Sequence, residues 1–178
     1  MGPKKLFAIA GMVAAFTLAE EWKVDSEHAQ IKFSIKGPFG TVHGSFGGLK
    51  AKIAFDEKNP SSATIEASVD PNTVATGIGI RNHDLRTEEI WLDTKKFPEI
   101  SFHSTKIEKS DKGFKAVGNL NLKGVSKTIE IPFTFTGNEN SGTFKGEFTI
   151  NREDFHIGKK GGSVGDNVTV TLEVPVKK

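Results

Sequence analysis

Through most of this chain apolar residues recur at every second position, the period of a strand with one face buried. Ile31, Phe33 and Ile35 alternate with Lys32, Ser34 and Lys36, and Ile65, Ala67 and Val69 with Glu66, Ser68 and Asp70. The same rhythm runs through Phe114 to Leu122, Ile129 to Phe135, Phe144 to Ile150 and Val168 to Val176. Short turns separate these runs, so neighbouring strands pair antiparallel.

One long stretch, Thr76 to Phe102, breaks the rhythm. Leu85, Ile90 and Trp91 are out of strand phase, and Thr87-Glu88-Glu89 before Ile90-Trp91-Leu92 predicts a short helix with a threonine cap and acids in its first turn. Pro98 stops the helix and alternation resumes at Ile100. The chain therefore reads as all-β with a short helical insertion, a flap, around residues 80–96.

Two further irregularities bear on architecture. Val42, Gly44 and Phe46 lie on one parity and Leu49, Ala51, Ile53 and Phe55 on the other, with Gly47-Gly48 at the switch, which predicts a bulge or bend. Pro132 lacks an N–H and belongs at an edge or an irregular place. About eight strands fit either a closed barrel or a two-sheet sandwich. Consecutive hairpins and the glycine bend favour an eight-stranded antiparallel up-and-down barrel, in which closure removes the edge strands.

The 178 residues suffice for one domain, expected over residues 20–178. Residues 1–19 have the layout of a signal peptide: Lys4 and Lys5, an apolar run from Leu6 to Leu18, and a small residue, Ala19, at the expected cut. The run is too short to span a bilayer, so the expectation is an exported, periplasmic protein with no integral membrane segment after cleavage. The absence of cysteine excludes disulfides and thiolate chemistry. A net charge of +2 without a basic block argues against nucleic acid.

Fourteen phenylalanines and no tyrosine suit a dry interior. With the apolar parity inward, Phe33, Ile35, Phe46, Ile53, Phe55, Ile65, Val69, Phe102, Leu120, Ile131, Phe133, Phe148 and Val170 line the lumen. They either fill it or bound a ligand cavity, and small barrels do both. Ala51, Ala67, Ala116, Gly118 and Gly146 share that parity and leave space along the axis.

Catalytic signals are absent. The five histidines are scattered, no HExxH or GxSxG occurs, and the Gly158-Lys159-Lys160-Gly161-Gly162 loop, read as mobile, lacks phosphate-loop spacing. No catalytic residue, metal ligand or cofactor is assigned. At the flap, Arg81, His83 and Asp84, with Leu85, Ile90 and Trp91, and Arg152 near the glycine-rich loop, either hold a ligand's polar head or cap helices and pin loops.

In order and spacing, Val24-Asp25-Ser26-Glu27-His28, Arg81 through Leu85, Trp91-Leu92-Asp93, Lys96-Phe97-Pro98-Glu99-Ile100-Ser101-Phe102, Gly118-Asn119-Leu120 and Asn151-Arg152-Glu153-Asp154-Phe155 resemble the YceI-like family of bacterial periplasmic, polyisoprenoid-binding, lipocalin-like proteins. The resemblance implies an eight-stranded barrel whose lumen takes a long isoprenoid, a polyprenyl compound or quinone. The chain departs from the family pattern at Ala29, where a serine is usual, and at Asn82-His83-Asp84, where Asp-x-His is usual. A fatty-acid-type binder, an enzyme using Arg81, His83 and Asp84 on a small apolar substrate, and a partner-binding scaffold are the alternatives. A homodimer through strands or flap is compatible with the sequence but demanded by no pattern.

Overall fold

The computed structural model describes residues 19–178; apart from Ala19, the expected leader lies outside them. Ten strands form one antiparallel sheet: β1 (Glu21–Val24), β2 (Gln30–Gly37), β3 (Gly40–Phe46), β4 (Lys50–Ala54), β5 (Thr64–Val69), β6 (Ile100–Ser110), β7 (Gly113–Leu122), β8 (Val125–Gly137), β9 (Ser141–Asn151) and β10 (Asn167–Lys177). They occupy eight positions around a barrel, because β1 and β2 are two pieces of one staple of the wall and β3 and β4 two pieces of the next. Pairing of β1 with both β4 and β10 closes the ring.

Each break has a local cause. Between β1 and β2 the Asp25 carboxylate accepts from the backbone N–H and the imidazole Nδ1 of His28, folding residues 25–29 into a turn. Between β3 and β4, Gly48 takes φ +67° and the Gly47 N–H is given to Thr73 Oγ1. This is the bend expected at Gly47-Gly48, and it carries the apolar parity from Phe46 to Leu49.

Pro132 ends a ladder. Successive strand residues aim their backbone groups at opposite neighbours, and Phe133 O lies towards Gly113 on β7, so the backbone of Pro132 faces β9. With no N–H to give there, β8 and β9 pair only over Phe133–Gly137 and Gly142–Gly146, although β8 stays paired to β7 down to Val125. From Pro132 towards the mouth the ladder between the two strands is absent.

The barrel has unlike ends. At one, Phe55 is buried among Phe114, Phe133, Phe135 and Phe144, with ring centroids 5.0–5.7 Å away. Trp22 joins through Phe135 and donates its indole N–H to Phe55 O at 3.0 Å. Burying each such ring is worth about 1.5–3 kcal/mol, so this plug is the stable half of the core.

The other end carries the long connections, and here the short helix lies in the insertion expected around residues 80–96 but ends where the Thr87 cap is expected to start it. The helix α1 is Gly79–Thr87, and Thr87-Glu88-Glu89 stands at its C-terminus, the Glu88 N–H closing onto Asp84 O. Residues 88–97 are turns, tied by Leu92 N–H to Leu85 O, Thr94 N–H to Arg86 O and Phe97 N–H to Asp93 O. The cap-like triplet misleads because nothing in it distinguishes the start of a helix from the residues that follow one.

Candidate functional site

A cavity of about 970 Å³ opens at the helical end and runs down to Phe133 and Phe144, the upper face of the aromatic plug. Its wall includes Phe33, Ile35, Phe46, Ile53, Ile65, Val69, Phe102, Leu120, Ile131, Phe133, Phe148 and Val170. Phe55, placed with these from the sequence, is a correction: it has inward parity but sits below the floor inside the plug, and is not on the cavity wall. Parity decides which face a side chain takes and is silent about its height along the barrel.

Space in the lumen comes from small residues, with one exception. Ala51, Ala67, Ala116 and Gly146 border the cavity. Gly118 contributes none, because a Cβ there would stand 2.6 Å from Cζ of Phe102, whose ring already lies over it. Phe33 covers Gly44 in the same way, 2.3 Å from a would-be Cβ, and these rings patch thin places in the wall.

Polar groups gather at the mouth. Arg81 and Asp84 on α1 border the cavity with Leu85 and Trp91, whereas His83 is exposed and Ile90 lies off the cavity wall. The guanidinium of Arg81 makes no hydrogen bond among the described residues, which leaves its donors free beside the opening. Lys145 borders the cavity by position only, since its ammonium turns outward to Glu173 at 3.3 Å.

Arg152 is committed elsewhere. It is 1% exposed and donates to the carbonyl oxygens of Gly165, Ile157, Lys159 and Val164 and to Asp166 Oδ1, at 2.7–3.1 Å. Of the two roles open to it from the sequence, the structure gives it the pinning of a loop. The loop expected to be mobile is thus held at several carbonyls, and Gly158, at φ +74°, adds a bond from its N–H to Ile90 O. Near the β7–β8 turn, Lys123 donates to His156 O at 2.8 Å; burial holds its ammonium's pKa below the usual lysine value, against the opposing pull of Asp93 and Glu89.

Several positioning residues were missed. Asn82 Oδ1 accepts from the N–H and hydroxyl of Thr76, at 2.8 and 2.7 Å, and sets the lead into α1. Buried Thr94 donates to Asn72 Oδ1 and so ties the flap to the turn after β5. Ser104 Oγ accepts the Ile65 N–H at 2.8 Å where β6 bulges between Ser104 and Lys106. A small polar residue flanked by strand residues gives no sequence signal for such long-range partners.

Among the described residues no group of three or more His, Asp or Glu is placed to hold a metal, and no helix is long and apolar enough to cross a membrane. A small antiparallel barrel plugged at one end and hollow and apolar at the other is a calyx of the lipocalin-like kind. The chain belongs to the YceI-like family, whose domain model matches residues 22–176. A UPF0312 protein of Yersinia enterocolitica is 35% identical over 90% of this chain and 88% of its own length. The fold is shared with solved structures. Burkholderia cenocepacia BcnA superposes with a TM-score of 0.80 at 23% identity, over 86% of this chain and 99% of that one. A domain of Saccharophagus degradans, described as polyisoprenoid-binding and implicated in plant cell wall breakdown, superposes with a TM-score of 0.68 at 14% identity, over 89% of this chain and 98% of its own.

Proposed function

We propose that this protein binds a long apolar lipid, an isoprenoid such as a polyprenyl compound or quinone, with its chain in the calyx and its polar end at the mouth. The observation that carries this reading is the cavity itself, about 970 Å³ and apolar down to Phe133 and Phe144. At about 25 cal/mol per Å², burial of a few hundred Å² of ligand chain supplies micromolar or tighter binding without any charge. Arg81 offers the free donors that would meet a carbonyl or phosphate at the open end.

The reading is of a binder and carrier in place of a catalyst. Asp84, Arg81 and His43 border the mouth, but no hydroxyl there is hydrogen-bonded to a base among the described residues, and acid–base or nucleophilic chemistry needs such convergence. The leader expected over residues 1–19 supports an exported, periplasmic site of action, and residues 20–178 are read as the whole binding unit. The likeness to the Saccharophagus degradans domain favours isoprenoids over fatty acids as the ligand class.

The test is organic extraction of protein purified from its native compartment, followed by mass spectrometry. A stoichiometric isoprenoid supports the carrier reading. Folded protein that yields none, and takes up neither added quinone nor polyprenol, refutes it.

A further inference from the structure

Three large apolar side chains stand out in solvent among the described residues, and all three border the mouth of the apolar cavity: Phe39, fully exposed, Ile80 at 73% and Ile78 at 45%. Nothing in the local fold asks for them. Phe39 sits with Pro38 at the tip of the two-residue β2–β3 turn, between Gly37 and Gly40, where turn chemistry favours Asn, Asp or Gly. Ile78 and Ile80 flank Gly79 at the start of α1, and neither helps to cap it. Such residues lower solubility unless something covers them.

The charges around them say what does. The segments that carry or adjoin this rim are residues 36–41, 78–97 and 156–166. The glycine-rich loop reaches the hairpin, Gly165 N–H donating to Lys36 O at 2.7 Å. Together the segments hold Lys36, Arg81, Arg86, Lys95, Lys96, Lys159 and Lys160 against Asp84, Glu88, Glu89, Asp93 and Asp166, seven bases to five acids, and Asp166 is already paired with Arg152. Apolar tips ringed by basic side chains are the pattern of a surface that settles into an anionic lipid interface.

We infer that the mouth of the barrel docks on an anionic phospholipid bilayer, with Phe39, Ile78 and Ile80 entering the acyl boundary and the basic residues resting on phosphates. This rests on the carrier reading for its purpose: docking mouth-down makes the apolar lumen continuous with the membrane interior, so a lipid chain passes between them without crossing water. The sealed end, with Trp22 and Phe55, then points away from the membrane.

The experiment is co-sedimentation with vesicles of phosphatidylcholine alone and of phosphatidylcholine with phosphatidylglycerol, with isoprenoid content measured separately by extraction. The wild type sediments with the anionic vesicles, less so at high salt. The double variant F39S/I80S, which leaves the melting temperature unchanged, loses affinity about tenfold or more. F39W keeps docking, and its added indole is quenched by brominated lipid. Wild type that ignores anionic vesicles, or F39S/I80S that binds them as well as wild type, overturns docking whatever lipid the protein carries. So does a dimer that F39S/I80S dissolves while vesicles bind neither form, since a second copy then covers the patch. Vesicle binding by protein that carries no isoprenoid sustains docking and removes the carrier reading alone.

Discussion

The backbone N–H of Gly158 donates to the carbonyl oxygen of Ile90 at 2.6 Å, joining the β9–β10 loop to the flap between β5 and β6. These are the two longest connections at the open end, and this bond makes them one structure. Beside it a Cβ on Gly158 would stand 2.8 Å from Nη1 of Arg152 and 2.9 Å from Cζ3 of Trp91. Position 158 thus requires glycine for two separate reasons, its positive φ and its close neighbours.

Gly158→Ala is expected to cost about 2 kcal/mol or more, from the left-handed backbone and the displaced Trp91 and Arg152 together. Urea denaturation measures the loss, and hydrogen exchange locates it, with faster exchange confined to the loop and flap. Uniform exchange change across the strands would contradict the local coupling.

The two arginines near the mouth should respond oppositely to replacement by methionine. Arg152→Met strands several buried carbonyls and should cost about 3–5 kcal/mol, and Arg152→Lys should not restore it, because one ammonium cannot reach acceptors spread from Ile157 to Gly165. Arg81→Met should change stability by less than about 0.5 kcal/mol while weakening an isoprenoid with a polar head about tenfold. Chemical denaturation and a binding titration separate the two effects.

Ala51 and Ala67 face each other across β4 and β5 on the cavity wall. Ala51→Phe places a ring in the lumen and should abolish co-purification of lipid, with a melting temperature equal to or above that of wild type because the ring buries apolar surface in existing space. Full ligand content in this variant would place the ligand elsewhere.

The turn between β1 and β2 should weaken in acid. The hydrogen bond from His28 holds the Asp25 carboxyl below its ordinary value of 3.8, helped by the charge of His28 and of Lys177. A depressed folded-state value means that the stabilisation is present above the unfolded value and is lost as pH falls through the folded one. NMR titration should show Asp25 protonating at lower pH than in His28→Ala, and Asp25→Asn should flatten the acid limb of stability over that range.

Most of the wall was legible because a half-buried strand writes its two faces as alternate residues: Phe33 and Ile35, or Ile131 and Phe133, need no partner to be recognised. Gly47-Gly48 and Pro132 were legible for the same local reason, since each acts through its own backbone. The helix was not. Gly79–Thr87 has only Ile80 and Leu85 as large apolar residues and no capping side chain, while the triplet after it mimics a start. Arg152 shows the same limit at the site, because its role is fixed by carbonyls 5–13 residues further on, and a loop's path is not written in its composition.

A ring of strands bonded at every seam has a fixed girth. In this barrel the seam from Pro132 towards the mouth is unbonded, so β8 and β9 can separate there without breaking a ladder, and the wall has an expansion joint beside Phe148 and Ile131. The half of the calyx that opens to the mouth is thereby free to widen, while the phenylalanine plug fixes the girth of the other. If the calyx takes a lipid, ligands of different thickness should change amide shifts at Glu130 and Thr149 and leave those at Phe55 unmoved, so that width, unlike depth, would follow the ligand.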